Sequence, residues 1–583
     1  MSIFRSLPLR ALQLAVVAAS ALVAGESAAQ APSPASPSRP LPLKYAGPPT
    51  VADITAGDLM TRVYKFADDS MMGRAFGTPY NDKATAYIAA ELERLGLQPA
   101  GDGGTFFQKV PIVNRQLDSA STITVEGTTY RAFEDFVAGG PGSAAGLAGA
   151  AVIYLGSVVD TAGIVPADSV RGKVAFVRLA ALPPGTNPQE FVQSPGYLAF
   201  LESLEAAAAI VTIAGQQLSP MALRMASNPA TSVMLEPEAP IAITVTQRLA
   251  EAVLGGPLDQ VRRGAVGKPI TADVRLIDTP RPGRNVVAVV PGTDPALRGQ
   301  YIAIGAHNDH VPPASTPVDH DSLRAVLQVV RPQGADSPNR PATPEEEVRI
   351  RAILDSLRRV NPPRLDSIRN GADDDASGSM TILEVAEAFA LGREKPKRSI
   401  LFVWHTGEEG GLLGARHFTA NPTVPRDSIV AQLNLDMVGR GGAQDVTGEA
   451  IDGTLLNGGP GYVQLIGARR LSTELGDVIE RVNTEAGLNL RFDYSMDANG
   501  HPQNIYCRSD HYEYAKYGIP VVFISTGGHA DYHQVTDEPQ YLDYPHMATV
   551  ARLVHASALA LANLDHRIVV DQPKPDPHGT CVQ

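Results

Sequence analysis

Cysteine is nearly absent from this 583-residue chain, which holds only Cys507 and Cys581. A disulfide scaffold is therefore excluded. Cys581 lies in a Pro-rich tail, and nothing in the sequence supports a bridge between the two. Excess positive charge is lacking as well. Acidic residues number 62 against 49 basic ones, for a formal net charge of −13, which argues against nucleic acid or an anionic membrane as partner. Long apolar runs are also missing. Ala11–Val23 falls short of the ~20 residues a membrane span needs, and no later segment is longer and equally apolar. With Arg5 and Arg10 before that run and Ser27-Ala28-Ala29 after it, residues 1–29 read as a signal peptide, so a secreted or periplasmic location is expected. No HExxH or G-x-S-x-G occurs. Gly140–Gly146 is glycine-rich without the strand–helix setting of a dinucleotide loop. Ser509-Asp510-His511 is contiguous, a poor arrangement for a triad, and reads as support for a site floor.

Patterning divides what remains. Residues 30–50 are rich in Pro, Ser and Ala and read as a flexible linker. Asp82–Leu95 has the apolar spacing of a helix stopped by Gly96. Between about 130 and 278 the chain is Ala-, Gly- and Val-rich with few charges. It shows β-like runs at Ala151–Leu155, Val174–Val177 and Ile210–Ala214 around an Ala-rich helical stretch, Leu201–Ala209. No cluster of metal ligands falls there, and it reads as an inserted module. From Asn285 short apolar runs suited to buried strands recur: Val286–Val290, Tyr301–Ile304, Ile400–Trp404, Gln432–Leu435 and Val521–Ile524. Helical patterns at Ser379–Leu391 and Thr473–Glu485 lie between them. This alternation predicts an α/β fold, a sheet with helices on both faces and its site at the carboxyl ends of the strands. The long connection Val311–Arg369 carries its own helix, with Thr343, Pro344 and Glu346 forming a capping box and Ile350, Ile353, Leu354 and Leu357 its apolar face. Such an insert beside a site is either a lid or substrate wall, or a surface excursion packed elsewhere.

Five segments carry the chemistry: GAHNDH (Gly305–His310), NGADDDASG (Asn370–Gly378), GEEGGLLGA (Gly407–Ala415), NLDMVG (Asn434–Gly439) and HADYH (His529–His533). Each follows or ends an expected strand. Zinc takes imidazole nitrogen and carboxylate oxygen, and two metals sharing a carboxylate can activate a water and polarise a carbonyl together. His307 would sit at a strand end, where a lone histidine is more often structural; Asp309 could hold its ring from the second shell. Asp373-Asp374-Asp375 alone would be a solvated acidic turn, and becomes an asset only beside cations. Glu408 and Glu409 on an irregular loop point apart, so one can bind metal while the other acts as a base. Asp436 interrupts an apolar run, where an unpaired carboxylate would incur a large desolvation cost. His533 and His529 are rival ligands, and Tyr532 can hydrogen-bond an oxyanion.

In this order the five motifs resemble the secreted di-zinc peptidases related to bacterial aminopeptidases, glutamate carboxypeptidase and the transferrin receptor (peptidase family M28). The resemblance covers about Val51–Thr128 and Arg281–Asp565. It implies a mixed, mostly parallel central sheet flanked by helices and two Zn2+ ions. By motif, His307 and Asp436 would bind one zinc and Glu409 and His533 the other, with Asp374 bridging, Asp375 in the second shell and a cis peptide between Asp374 and Asp375. Glu408 would be the general base. The segments VRGKVAFVRL and LEAAAAIVTIAG make residues 129–280 look like a β-rich protease-associated domain. The implied organisation is residues 51–128 and 281–566 as the peptidase domain, with 311–369 as a lid-like insert and 567–583 as a disordered tail. Asn308 stands where many members have tyrosine, and the spacing from His307 to Asp374 is unusually long. The implied activity is that of an aminopeptidase on peptide substrates. The alternatives are a carboxypeptidase or dipeptidase, with Arg440 or Arg508 meeting a substrate carboxylate, a one-zinc glutaminyl cyclase-like enzyme, and a receptor-like binding protein. The complete ligand set and Glu408 count against the last two. Side-chain preference and oligomeric state are not legible.

Overall fold

The computed structural model describes residues 41–575 and 581–583, apart from 144–146, 161, 181, 183–190, 192–193, 229–231, 237–238, 282 and 361. The expected signal peptide and most of the expected linker lie outside the described residues. The chain divides into two compact units, residues 111–281 and the remainder.

The inserted unit begins at Pro111 rather than at 129. Ile112–Leu117 pairs antiparallel with Leu276–Arg281, so the strand entering the unit closes on the strand leaving it. Its main sheet has eight strands. Val174–Arg178 runs parallel to Ala150–Ser157 on one side and Ala209–Ile213 on the other. These runs are almost wholly buried, which is why they read as continuous rather than alternating apolar segments. The helix expected at Leu201–Ala209 spans Pro195–Glu205 instead. Ser194 caps it and Pro195 fills its first turn, start signals that outweigh the alanine run, while Ala209 already opens the next strand.

The larger unit is built on a mixed sheet. Its strands are β1 (Gln98–Pro99), β2 (Phe107–Lys109), β3 (Arg284–Val290), β4 (Tyr301–His307), β5 (Ser399–His405), β6 (Ile429–Leu435), β7 (Tyr462–Ile466), β8 (Arg491–Asp493) and β9 (Val521–Ser525). Their order is β1-β3-β5-β4-β6-β9-β7-β8, with β2 also on β3. The central strands β5, β4, β6 and β9 are mutually parallel, and β3 and β7 flank them antiparallel. Along β3, Val286, Ala288 and Val290 enter one hydrophobic cluster while Val287 and Val289 enter the other, the period-2 alternation of a sheet buried on both faces. One face carries α1 (Ala56–Phe66), α2 (Pro79–Arg94), α5 (Gly378–Leu391), α6 (Thr473–Glu485) and α7 (Tyr544–Asn563). Trp404 in β5 donates its indole N–H to the Ser379 carbonyl, tying α5 to the sheet beneath the site.

Residues 41–50 are not a free linker, since Leu41 and Tyr45 pack on the core. In residues 311–369, α3 (His320–Val330) packs against α4 (Pro344–Leu357). The expected capping box of α4 is present, but no residue of that helix is fully buried. The tail also departs from expectation. Ile568 is buried, Asp571 accepts from the Thr473 amide, and Cys581 is bonded to Cys507. Gln583 explains how a Pro-rich tail can return there. Its side chain bonds the backbone of Met496, Ala498 and Tyr506, and its carbonyl accepts from Gly500.

Candidate metal centre

Parallel strands expose unpaired backbone at their carboxyl ends, and the loops leaving those ends are where polar side chains converge. β4 ends on His307, the loop after β5 carries Glu408 and Glu409, Asp436 follows β6, and His533 lies beyond β9. Asp374 comes from the irregular turn Ala372–Ser377 that starts α5.

Two groups of ligand atoms form there, and Asp374 belongs to both. In the first, His307 Nε2 stands 3.0 Å from Asp374 Oδ1 and 3.5 Å from Asp436 Oδ1. In the second, His533 Nε2 stands 2.9 Å from Asp374 Oδ2 and 3.1 Å from Glu409 Oε2. His310 joins this second group, with Nδ1 2.9 Å from Glu409 Oε1. Tetrahedral zinc with bonds of about 2.0–2.1 Å separates its ligand atoms by roughly 3.3 Å, and these distances bracket that value. Several of the atoms are buried without hydrogen-bond partners, His307 Nε2, Asp374 Oδ2 and Glu409 Oε1 among them. Orphaned donors and acceptors aimed at common points fit a pair of divalent cations.

The three adjacent aspartates divide their work. Asp373 Oδ1 accepts from the Gly439 amide and its Oδ2 faces His529. Asp375, across the cis peptide from Asp374, accepts from the amides of His307, Gly378 and Met437. It thus ties β4, α5 and the loop after β6 together. Only the middle carboxylate reaches both ligand groups. His529, the rival of His533, faces Asp373 instead, its Nε2 3.2 Å from Oδ2, and belongs to neither group.

Asp309 acts differently from expectation. His307 Nδ1 lies 3.1 Å from the Asp309 main-chain carbonyl, whereas the nearer carboxylate oxygen stands 3.8 Å away. That carboxylate instead accepts from the Glu408 amide, so it positions the Glu408 backbone. The histidine ring is held by the tight backbone turn itself.

Glu408 faces an open cavity of about 680 Å³ that also reaches Asp374, Asp436, Tyr532 and His533. Burial pushes the Glu408 carboxyl well above its ordinary range, helped by Glu409 and Asp436 and opposed by His307. Burial likewise raises Tyr532, with Arg508 opposing. Asp436 is oriented by Ser509, whose hydroxyl donates to Oδ2 at 2.8 Å, in keeping with its reading as site floor. Asp510 meanwhile pairs with His405, which rules out a local Ser–Asp–His relay. Arg440 is unavailable to a substrate because it is buried against Asp445 and Asp531. Arg508 pairs with Asp336 across the cavity wall.

Residues that the sequence reading passed over also shape the site. His310 lay inside a quoted motif and went unweighed. Arg324 in α3 pairs with Asp531, fixing the loop that bears His533. Ala335 donates its amide to the Tyr532 carbonyl at 3.1 Å. No local pattern signals either contact.

Comparison with known proteins agrees with the geometry. Residues 285–558 match the model of peptidase family M28. Leucine aminopeptidase 1 of Aspergillus fumigatus is 27% identical over 236 residues, covering 38% of this chain and 54% of that protein. The protein of the same name from Penicillium rubens is 30% identical over 207 residues, covering 33% and 47%. The chain thus spans about half the length of the curated relatives it matches. Among solved structures, an aminopeptidase from Aneurinibacillus sp. strain AM-1 aligns over 90% of this chain and 97% of its own at a TM-score of 0.41 and 16% identity. A zinc aminopeptidase from Bacillus subtilis aligns over 87% and 95% at 0.41 and 15%. Residues 285–558, which carry all five motifs, are thus similar to peptidase family M28.

Proposed function

We propose that this chain is an exported di-zinc aminopeptidase that removes apolar residues from the free N-termini of peptides. One observation carries the reading: two ligand groups share Asp374 beside the buried Glu408 at the mouth of a single cavity. When bound, a zinc pair supplies Lewis acidity to the attacking water and to the scissile carbonyl. His307 and Asp436 would hold one ion, Glu409 and His533 the other, and Asp374 both.

The chain's own groups then manage protons and charge. Glu408, with its raised proton affinity, accepts the proton of the attacking water and passes it to the departing amine. The Tyr532 hydroxyl, whose proton burial holds more firmly still, donates to the oxyanion as it develops. Met437, Met496, Ile505 and Phe523 give the cavity an apolar lining, suited to a leucine-type side chain and in keeping with the names of the curated relatives. Residues 311–369 supply Gln333 and Asp336 to its wall, so the insert serves as a substrate wall. Residues 111–281 act as a protease-associated domain. Export is supported by the apolar run at the start of the chain and by the Cys507–Cys581 bridge, which persists in oxidising compartments. Among the described residues no helix is long and apolar enough to cross a membrane.

The test is cleavage of a leucyl peptide with its N-terminus free or acetylated, by the zinc-loaded protein. Hydrolysis of the free form alone is expected. Hydrolysis of both, or only of the blocked peptide, moves the assignment to a carboxypeptidase or endopeptidase. Hydrolysis of neither refutes the aminopeptidase.

A further inference from the structure

We propose that His310 is a sixth protein ligand of the metal pair, completing the site formed by Asp374, Glu409 and His533. The inference rests on the two-metal reading above. It adds a histidine that the motif resemblance does not assign.

His310 is fully buried, and neither ring nitrogen has a hydrogen-bond partner among the described residues. Leaving buried polar atoms unpaired costs about 1–3 kcal/mol each, so an unseen partner is indicated. Nδ1 lies 2.9 Å from Glu409 Oε1 and 3.6 Å from Asp374 Oδ2. The first distance suits a hydrogen bond, yet the pair is not aligned as one. His307 Nε2 shows the same combination, 3.0 Å from Asp374 and also without an aligned bond. The same proximity without alignment occurs at His529–Asp373 and His405–Asp510; what sets His310 apart is that its ring nitrogen joins a cluster of ligand atoms from Asp374, Glu409 and His533.

Packing supports this. The His310 and His533 rings meet edge to face at 73°, their centroids 5.5 Å apart, so two imidazoles converge on one point from different directions. Gly371 makes room for His310. A Cβ there would come within 2.2 Å of the Asp374 carbonyl oxygen and 2.6 Å of the His310 ring carbons Cγ and Cδ2, and its φ of +53° is the left-handed conformation glycine tolerates best. The four ligand atoms of His310, Asp374, Glu409 and His533 lie within 4.8 Å of one another.

The two sites would then be unequal. One has four protein ligands with two imidazoles. The other has His307, Asp374 and Asp436, leaving more of its coordination open. The four-ligand site should fill first and empty last.

The test uses the whole mature chain stripped of metal and titrated with Zn2+ against a chromogenic chelator. The wild type should bind two ions in separable steps. In His310→Ala the tighter step should weaken by at least ~10-fold while the weaker step is unchanged, since loss of even an outer partner of a metal ligand typically costs 10–100-fold. The second readout needs no variant. The Co2+-loaded wild type should show three paramagnetically shifted, exchangeable imidazole N–H resonances, from His307, His310 and His533. Three resonances support His310 as a ligand. Two metals with only two such resonances overturn it and leave the two-metal reading intact. Fewer than two metals bound by the wild type overturn that reading, and this inference with it.

Discussion

Gly334 lies in the long insert, far in sequence from every proposed ligand, yet its replacement by alanine should cripple the site. Its φ is +55°, and a Cβ there would fall 2.5 Å from the Tyr532 carbonyl oxygen, 2.8 Å from its amide nitrogen and 2.9 Å from its Cβ. Ordinary van der Waals contact begins near 3.4 Å, so backbone must yield by about 0.9 Å. Neither side yields freely. Asp336 is held to Arg508 on the insert side. On the Tyr532 side, Asp531 is held to Arg324 and Arg440. Displacing Tyr532–His533 on that scale moves both the proposed oxyanion donor and a proposed metal ligand, and misplacement of a reacting group by about 1 Å can cost ~10²-fold in rate. The left-handed backbone adds about 1–2 kcal/mol of strain, and a strained Ala335–Tyr532 hydrogen bond adds about 1 kcal/mol. The expected outcome is a loss of kcat/KM on a leucyl anilide near 100-fold, in protein that remains folded by circular dichroism. Wild-type kcat/KM in Gly334→Ala would refute the claim that the insert braces Tyr532 and reduce residues 311–369 to a surface excursion.

Glu408→Gln should retain both metals by atomic absorption and lose about 10²–10⁴-fold in kcat; ordinary turnover removes Glu408 from the mechanism. Asp436→Asn should lower metal content, because it weakens the group with fewest ligands, and unchanged content would sink that assignment. Replacing Cys507 and Cys581 with serine opens a bridge across a sequence separation of 74 and should destabilise the protein to unfolding in urea by up to about 4 kcal/mol; an unchanged midpoint would mean the tail is held by its non-covalent contacts, those of Ile568, Asp571 and Gln583. His511 lies buried against Phe523 and Tyr506, and burial pushes its pKa down to about 3. Protonation therefore favours the unfolded chain. The stability from this group is complete above pH 6.5 and is lost as pH falls toward 3, by about 2 kcal/mol between pH 6.5 and 5. His511→Leu should lose less stability over that interval than the wild type in urea unfolding, and equal losses would place the acid sensitivity elsewhere.

What could be read before folding was whatever is written locally. Buried strands announce themselves as short apolar runs, and β4 and β9 were visible because nearly every residue faces a core. The capping box at Thr343 is legible because all its parts lie within four residues. His307, Glu409, Asp436 and His533 were legible because each ends or follows such a strand; Asp374, on the turn that starts α5, was legible only through its run of three aspartates. Contacts closed through space are different. Residues 112–117 alone do not reveal a partner at 276–281, and nothing near Cys581 reports that Gln583 will bind the loop carrying Cys507. Asp309 illustrates a finer limit. The sequence places a carboxylate two residues from His307, but whether the ring takes the side chain or the main-chain carbonyl depends on a turn geometry that composition does not encode. His310 failed for a related reason: on a loop leaving a strand, periodicity no longer says which way a side chain points.

The distribution of negative charge explains why cations suit this centre. Around the metal ligands lies a ring of buried carboxylates, most of which the protein neutralises itself. Asp531 has Arg324 and Arg440, Asp510 has His405, and Asp375 accepts three backbone amides. Asp537 takes the amides of Asp373 and Asp374. Inside that ring remain Asp374, Glu408, Glu409 and Asp436; the close partners of the three in the ligand groups are imidazoles and, for Asp436, the Ser509 hydroxyl. Imidazoles can neutralise carboxylates only by holding protons, and at neutral pH a pair of divalent ions supplies more charge at the same points. The fold thus gives Asp531, Asp375 and Asp537 partners of their own and leaves the inner carboxylates without a cation among the described residues. Removing the ions should then be felt in stability as well as in rate. A chelator should lower the unfolding temperature, because cations that bind only the folded state add RT ln(1 + [L]/Kd), about 4 kcal/mol at a thousand-fold excess over Kd. An apoprotein as stable as the loaded one would mean that the inner four carboxylates are quieted by protons instead.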